Sequence, residues 1–201
     1  MERLNEIHAQ FPIRNDQSLY TLASLTFEAV RIPGLLGLDL LSEKEKDANF
    51  HFWRRIGDGM HLTDVPATPE AFWAWMQDYE AENWGWSAGG AAVANAMIDD
   101  FAARWLPPAA RRIGRELTLA LMEDELLDAL RLKRPRASTR WMVGLLARAY
   151  FGGRAVLPDH AERSWTDGFG AEYGACPHMA DVGYLPERDR PAPARVAPAA
   201  R

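Results

Sequence analysis

The feature that most constrains the fold is a stretch without a charged side chain between Asp16 and Glu28. Its large apolar residues, Leu19 and Phe27 among them, fall at spacings that place them on every side of a helix. A helix without a polar face is stable when other elements surround it. Asn15 or Asp16 offers a side-chain oxygen that can cap the first turn. We therefore predict a central helix that begins at one of these two residues.

A histidine lies on an apolar stripe upstream of this helix. Leu4, Ile7, His8 and Phe11 are spaced i, i+3, i+4 and i+7, which places them on one side of a helix that Pro12 ends. An imidazole turned toward a protein interior has to pair one donor and one acceptor nitrogen. The commoner partner is a backbone carbonyl or a carboxylate, and the alternative is a metal ion such as a haem iron. The residues themselves leave both interpretations of His8 open.

Signals that start helices recur along the chain. Ser42 and Glu45 form a capping box, and Thr68 precedes Pro69, which is favoured at the first helical position. Ser87 is placed to cap a helix that begins with a run of small residues. These signals predict an all-α fold.

The irregular segments set the predicted domain organisation. The segment 32–40 contains one proline and two glycines and predicts a buried turn after the central helix. Residues 152–184 lack periodicity and predict loops, whereas 186–201 are rich in Pro, Ala and Arg and predict a disordered tail. We therefore predict one helical domain over residues 1–185.

Tryptophans are dense in the middle of the chain. Trp73, Trp75, Trp84 and Trp86 are candidates for the walls of a hydrophobic pocket that would accept a long apolar substrate. The commoner explanation is that large aromatic side chains at helical spacing fill the core.

Composition excludes several classes of function. The 201-residue chain has a formal net charge of −5, whereas general nucleic-acid binding needs a basic surface. Cys176 is the single cysteine, which is typical of a reducing compartment, and Cys176 with His178 lacks the further ligands of a zinc site. The N-terminus lacks the apolar core of a signal peptide, and the charge-free run 84–98 is shorter than the roughly 20 residues of a membrane span. We predict a cytoplasmic protein without a transmembrane helix.

The segment 131–154 is an exception in charge, because it contains basic residues and no acidic one. The basic residues are Arg131, Lys133, Arg134, Arg136, Arg140, Arg148 and Arg154. A basic amphipathic helix that carries aromatic residues can lie on an anionic membrane surface. The alternative is a helix whose apolar face is buried within the domain.

Several motifs resemble those of the MpaB-like oxygenase family, which includes the fungal mycophenolate-pathway oxygenase and the bacterial rubber oxygenase. The matching elements are R-L-N-E-I-H at 3–8, N-D followed by L-Y-T-L at 15–22, F-W-R-R-I-G-D-G-M at 52–60, V-P at 65–66 and Y-E at 79–80. Their order and spacing cover the first half of the chain well and the second half loosely.

The resemblance implies an all-helical protein with a globin-related core that binds haem b. It implies oxidation or cleavage of an isoprenoid-type double bond by dioxygen, with His8 at the position of the proximal iron ligand. The family carries its distal-side arginine and threonine on a helical region upstream, whereas this sequence starts seven residues before His8. We expect a start assigned too late, a fragment, or a domain that has lost the chemistry, and we assign no distal catalytic residue.

Two functions of other classes remain open. One is a non-catalytic fragment that binds haem or a small apolar ligand. The other is a helical domain that uses the basic segment 131–154 to bind a membrane surface or a protein partner, with His8 satisfied internally.

Overall fold

A computed structural model describes residues 1–156, and every regular element in this range is a helix. The all-α prediction is confirmed. In chain order the helices are α1 (Glu2–His8), α2 (Asn15–Leu35), α3 (Glu43–Gly59), α4 (Pro69–Asn83), α5 (Ala88–Trp105), α6 (Arg111–Ala120), α7 (Asp124–Ala129) and α8 (Ala137–Val156), with a 3₁₀ turn at Pro108–Ala110. Cys176, His178, most of the predicted loops and the predicted tail lie outside the described residues.

The chain divides into two compact units, which are described separately. Arg14–Leu157 form one unit, and Met1–Ile13 belong to the other. None of the described helices combines the length and the apolar character needed to cross a bilayer.

The core of the larger unit lies where α2, α3 and α4 meet. Leu19 and Leu22 of α2, Phe50 of α3, and Phe72 and Met76 of α4 are each at most 2% exposed. Burying a side chain of this size contributes about 1.5–3 kcal/mol. The prediction that α2 is central is therefore confirmed on the face that carries Leu19 and Leu22.

A second hydrophobic cluster joins α5, α6 and α7. Ile98, Leu119 and Leu127 are at most 4% exposed. Gly114 of α6 lies against α5, and a β-carbon at this position would be 3.0 Å from the β-carbon of Ala102. A glycine is therefore what permits the close approach of these two helices.

The predicted caps of α3, α4 and α5 are all formed. The Ser42 hydroxyl accepts from the Glu45 backbone N–H while Glu45 accepts from that of Ser42, and Thr68 and Ser87 each accept from an N–H three residues later. The predicted side-chain cap of α2 is absent, although the helix begins at Asn15. The Asn15 amide pairs with the backbone of Thr63 instead, donating at 3.0 Å and accepting at 3.0 Å.

The predicted buried turn at 32–40 is wrong in two respects. Helix α2 continues through Pro33 to Leu35, because proline at this late position sacrifices a single backbone hydrogen bond near the helix end. The carbonyl of Pro33 then accepts the N–H groups of Leu36 and Leu38. Ile32 and Leu35 are 38% and 42% exposed rather than buried.

We predict that Gly114→Ala destabilises the protein by about 1–2 kcal/mol, because overpacking costs about 1–3 kcal/mol and alanine regains up to about 1 kcal/mol of helix propensity. The new β-carbon would lie 2.6 Å from Leu106 Cδ1 as well as near Ala102. Urea denaturation measures the change. The control is Gly152→Ala in α8, where a β-carbon meets open space and stability should stay equal or rise. Equal destabilisation by both variants would contradict the close-packing explanation.

Candidate functional site

A cluster of opposite charges lies inside the larger unit, where α2, α4 and the start of α7 meet. Arg31, near the end of α2, and Glu80 of α4 each have a side chain that is 9% exposed. Nη1 and Nη2 of Arg31 donate to the two carboxylate oxygens of Glu80 at 2.6 and 3.0 Å, in the bidentate geometry of a strong pair. Glu123 accepts from Arg31 Nε at 2.7 Å and also from Nη2, and Glu28 accepts from Nη1 at 3.4 Å. We call these four residues the Arg31 cluster.

The protonation of the Arg31 cluster follows from its burial. Burial lowers the pKa of Arg31, but hydrogen bonds to Glu123 and Glu80 outweigh this effect and raise the pKa above its ordinary value. Burial also raises the pKa of Glu28, and the nearby charges of Glu123 and Glu80 add to this shift against the opposing effect of Arg31. Arg31 therefore stays charged, whereas Glu28 takes up a proton at a higher pH than an ordinary glutamate does.

A hydrogen-bonded chain continues from Glu80 to two aromatic residues. The Tyr20 hydroxyl donates to Glu80 Oε1 at 3.0 Å and accepts from the Trp84 indole N–H at 3.1 Å. Burial raises the pKa of Tyr20 to about 12, so the phenol is neutral in the physiological range. The Tyr20 hydroxyl thus donates a hydrogen bond to Glu80 and orients the Trp84 indole by accepting one from it.

The Arg31 cluster is structurally saturated. Its five hydrogen bonds from Arg31 to carboxylates match the five N–H donors of a guanidinium. No donor of Arg31 is left for an anionic ligand. Because its partners come from α2, α4 and the start of α7, the cluster joins these elements.

An open cavity of about 580 Å³ lies beside the cluster. The rings of Trp73 and Trp84 line it, with centroids 5.9 and 5.5 Å from the guanidinium carbon of Arg31. Gln77, Glu80 and Glu125 also line it, so the cavity is polar in character.

The four tryptophans do not form one hydrophobic pocket. Trp73 and Trp84 flank the polar cavity, and Trp75 stacks on Tyr79 with 5.2 Å between ring centroids. Trp86 is 50% exposed and lies under the guanidinium of Arg131 at 4.5 Å. The predicted pocket walls are thus distributed between core packing and cation–π contacts.

The hydrophobic site of the larger unit is instead a groove of about 480 Å³ along α8. All twelve described residues that line it are hydrophobic. They are Ile32, Pro33, Leu36, Leu38 and Leu40 from the end of α2 and the turn after it, Leu117 and Leu121 from α6 and its C-terminal cap, and Val143, Leu146, Ala147, Tyr150 and Phe151 from α8. We call this the apolar groove. It can take apolar atoms out of water, and it offers them no charged group within its lining.

Large hydrophobic residues are exposed on the opposite face of α8. Trp141, Leu145 and Val156 are 69%, 49% and 83% exposed and lie on the side of the helix away from the apolar groove. Arg148, seven residues after Trp141, begins on this side too, and its side chain extends to Leu36. An amphipathic helix with one buried face would carry fewer large hydrophobic residues here.

Several basic residues of the segment 131–154 are engaged within the protein. Arg134 pairs with Asp124 and Asp128, and Arg140 pairs with Asp124 at 2.6 Å. Arg148 is exposed and donates to the Leu36 carbonyl at 2.8 Å. Among the acidic residues 123–125, Asp124 pairs with Arg134 and Arg140, and Glu123 pairs with Arg31.

His8 is the last residue of α1 and is half-buried. No residue of α1 is buried. The predicted stripe included Phe11, but the helix ends at His8 and Phe11 is 44% exposed. Within the described part of the chain, no side-chain hydrogen bond or ion pair engages the His8 imidazole. Both ring nitrogens are thus available, which fits the single protein nitrogen that an axial haem ligand supplies.

Other candidate ligands are placed on the surface. His51 is 63% exposed on α3 with its Nε2 3.5 Å from Asp47, as is typical of a solvated histidine on a polar helix face. The residues that the structure describes contain no group of three or more His, Cys, Asp or Glu side chains arranged around a metal ion.

These observations define a helical protein with a saturated charge cluster and a separate apolar groove. A family model described as ER-bound oxygenase mpaB/B'/Rubber oxygenase, catalytic domain, matches residues 2–152, and the chain belongs to this family. No curated protein matches the chain. The family match includes His8, the Arg31 cluster and the apolar groove.

Sequence reasoning did not find the Arg31 cluster, although one signal was present. Phe72, Met76 and Glu80 are spaced by four residues, so a glutamate occupies the apolar stripe of α4. A carboxylate in such a stripe needs a cation, and the end of α2 supplies Arg31. The partner's identity depends on how the helices pack.

We predict that Arg31→Met destabilises the protein by about 3 kcal/mol, because it leaves the buried carboxylate of Glu80 without its cation. Chemical denaturation measures the loss. Adding Glu80→Gln to Arg31→Met should recover part of it, since the unpaired charge is then removed.

The matched control is Arg134→Met. Arg134 also pairs with two carboxylates but has a side chain that is 51% exposed, so its removal should destabilise the protein much less than Arg31→Met does. If the two variants lose equal stability, burial is not what makes the Arg31 cluster important.

Proposed function

We propose that this protein is a haem-dependent oxygenase that acts with dioxygen on an apolar, isoprenoid-like substrate. The observation that carries the proposal is the match to an oxygenase catalytic domain over residues 2–152. The available imidazole of His8 and the hydrophobic lining of the apolar groove support it from two independent sides.

The residues have separate roles in this proposal. His8 would hold the haem iron through one ring nitrogen, and haem b, when bound, would supply the activation of dioxygen. The apolar groove binds the hydrocarbon chain of the substrate and excludes water from it. The Arg31 cluster positions α2 and α4, and α2 contributes Ile32 and Pro33 to the groove. No residue of this chain is assigned to the distal side.

The exposed face of α8 favours a second function, a contact with an anionic membrane surface. Trp141 and Leu145 project from the helix, and exposed Lys133 and Arg136 lie just before it. Tryptophan is enriched at membrane interfaces, and each cation near an anionic surface contributes about 1 kcal/mol. In this second function the protein lies at the surface of a membrane. Its location in the cytoplasm stays a prediction.

We expect the 201-residue protein, expressed with a haem precursor, to show a Soret band that His8→Ala removes or shifts. His51→Ala is the matched control, because it deletes an exposed histidine and should leave the band unchanged. Circular dichroism of each variant establishes that the helices are retained. A folded wild-type protein without a Soret band, or a band equally affected by both substitutions, would overturn the assignment of His8.

Oxygenase activity needs a separate measurement. Haem-loaded protein should consume dioxygen when an isoprenoid alkene is added, and His8→Ala should lose this activity. A Soret band without oxygen consumption would instead identify a haem-binding protein that is not catalytic.

We expect the protein to sediment with vesicles of phosphatidylcholine and phosphatidylserine at low salt and to be released at high salt, because screening weakens surface attraction. Leu145→Glu should reduce sedimentation. Met97→Glu, which changes a 68% exposed residue of α5, should not. Absence of binding at low salt, or an equal effect of both variants, would contradict the membrane contact.

A further inference from the structure

We propose that the apolar groove binds a single-chain amphiphile with an anionic head, a carboxylate or a phosphate, and that Arg148 recognises the head. The proposal narrows the substrate class of the proposed oxygenase and rests on that function only for the statement that the bound chain is a substrate. The binding itself requires no haem.

Arg148 lies at the edge of the groove. Its Nη2 donates to the carbonyl of Leu36 at 2.8 Å, and both Leu36 and the neighbouring Ala147 line the groove. The same guanidinium lies beside Gly37, where a β-carbon would be 2.6 Å from Nη2. Gly37 has a φ of +67°, a conformation that glycine adopts readily, so the turn leaves room for the guanidinium at this edge.

Arg148 also gives this edge of the groove a positively charged group. Among the described residues, no carboxylate pairs with Arg148, and the backbone carbonyl takes one of its five N–H donors. Asp39, the acidic residue in the turn that lines the groove, pairs with Lys46 at 3.0 Å, a lysine that Glu43 shares at 2.7 Å. Arg148 itself therefore keeps an exposed positive charge with which no described carboxylate pairs.

The edge of the groove is charged, whereas its lining is hydrophobic. The twelve hydrophobic lining residues favour the hydrocarbon of a ligand, and the remaining donors of Arg148 favour an anion, which a guanidinium binds through two parallel hydrogen bonds. A neutral hydrocarbon would contact the hydrophobic lining but would not pair with Arg148. A free phosphate would pair with Arg148 but would not contact the hydrophobic lining.

The test measures binding of cis-parinaric acid to the full 201-residue protein by fluorescence, with displacement by oleate or oleyl alcohol below their micelle concentrations. Oleate should bind about tenfold more tightly than oleyl alcohol, which corresponds to one charge-assisted interaction at a partly exposed site. Arg148→Gln should weaken oleate binding about tenfold and leave oleyl alcohol within about twofold. Arg136→Gln removes a charge from the same basic segment and should change neither.

Neighbouring leucines provide the control for the groove. Leu146 is 59% exposed and lines the groove, whereas Leu145 is 49% exposed and does not. Leu146→Glu should weaken oleate binding at least about tenfold, because it places a carboxylate in the apolar lining. Leu145→Glu should leave oleate binding unchanged, and the exposure of both positions keeps either variant folded.

Several outcomes would overturn the proposal. Equal binding of oleate and oleyl alcohol would indicate a site for neutral chains, and equal effects of the paired variants would place binding outside the groove. Binding to vesicles of phosphatidylcholine and phosphatidylserine without binding of oleate would identify a lipid surface as the occupant. A dimer that Leu146→Glu dissociates, without oleate binding, would identify a second copy of the chain.

The result is separable from the proposed oxygenase function. Oleate binding that follows the predicted pattern in protein without a Soret band supports this inference and counts against the oxygenase. A His8-dependent Soret band without oleate binding would support haem binding by the proposed oxygenase and would overturn this inference.

Discussion

The buried guanidinium of Arg31 is the interaction on which the larger unit depends. A charge that is 9% exposed has lost most of its hydration, so the protein has to supply counter-charges and hydrogen bonds in its place. It does so with carboxylates from three parts of the chain, and the requirement fixes the end of α2 against α4 and the start of α7. The hydrophobic contacts of Leu22, Phe72 and Met76 bring α2 and α4 together, and the charge cluster specifies where they meet.

The end of α2 connects the cluster to the hydrophobic surface. Arg31 belongs to the cluster, and the residues that follow it, Ile32 and Pro33, line the apolar groove. Because α2 continues through Pro33, these side chains are held on a helix, which limits their movement more than a loop would. The same short segment thus contributes to the Arg31 cluster on one side and to the apolar groove on the other.

Helix α8 carries hydrophobic residues on two of its surfaces. Val143, Leu146 and Tyr150 line the groove, and Trp141 and Leu145 face away from it. Arg134 and Arg140 neutralise acidic residues at α7, whereas Arg148 keeps an uncompensated charge at the groove. The basic segment is therefore not uniform, and charge counting along the sequence does not distinguish arginines that stabilise from arginines that are free to bind. Membership of an oxygenase family gives these surfaces a chemical context.

Local sequence signals determined the all-α class and most helix starts, because caps such as Ser42 with Glu45 and Thr68 with Pro69 act within one turn of the chain. The family was also recognisable from short motifs that the family match bears out. Tertiary structure decided what the sequence left open: that Asn15 bonds Thr63 instead of capping α2, and that Trp73 and Trp84 flank Arg31 instead of joining the other tryptophans in one apolar pocket. It also decided that Arg31, Glu80 and Glu123 meet. Each of these outcomes depends on a partner that is distant in sequence, and periodicity within a helix specifies which face is apolar but not which face of another helix it contacts.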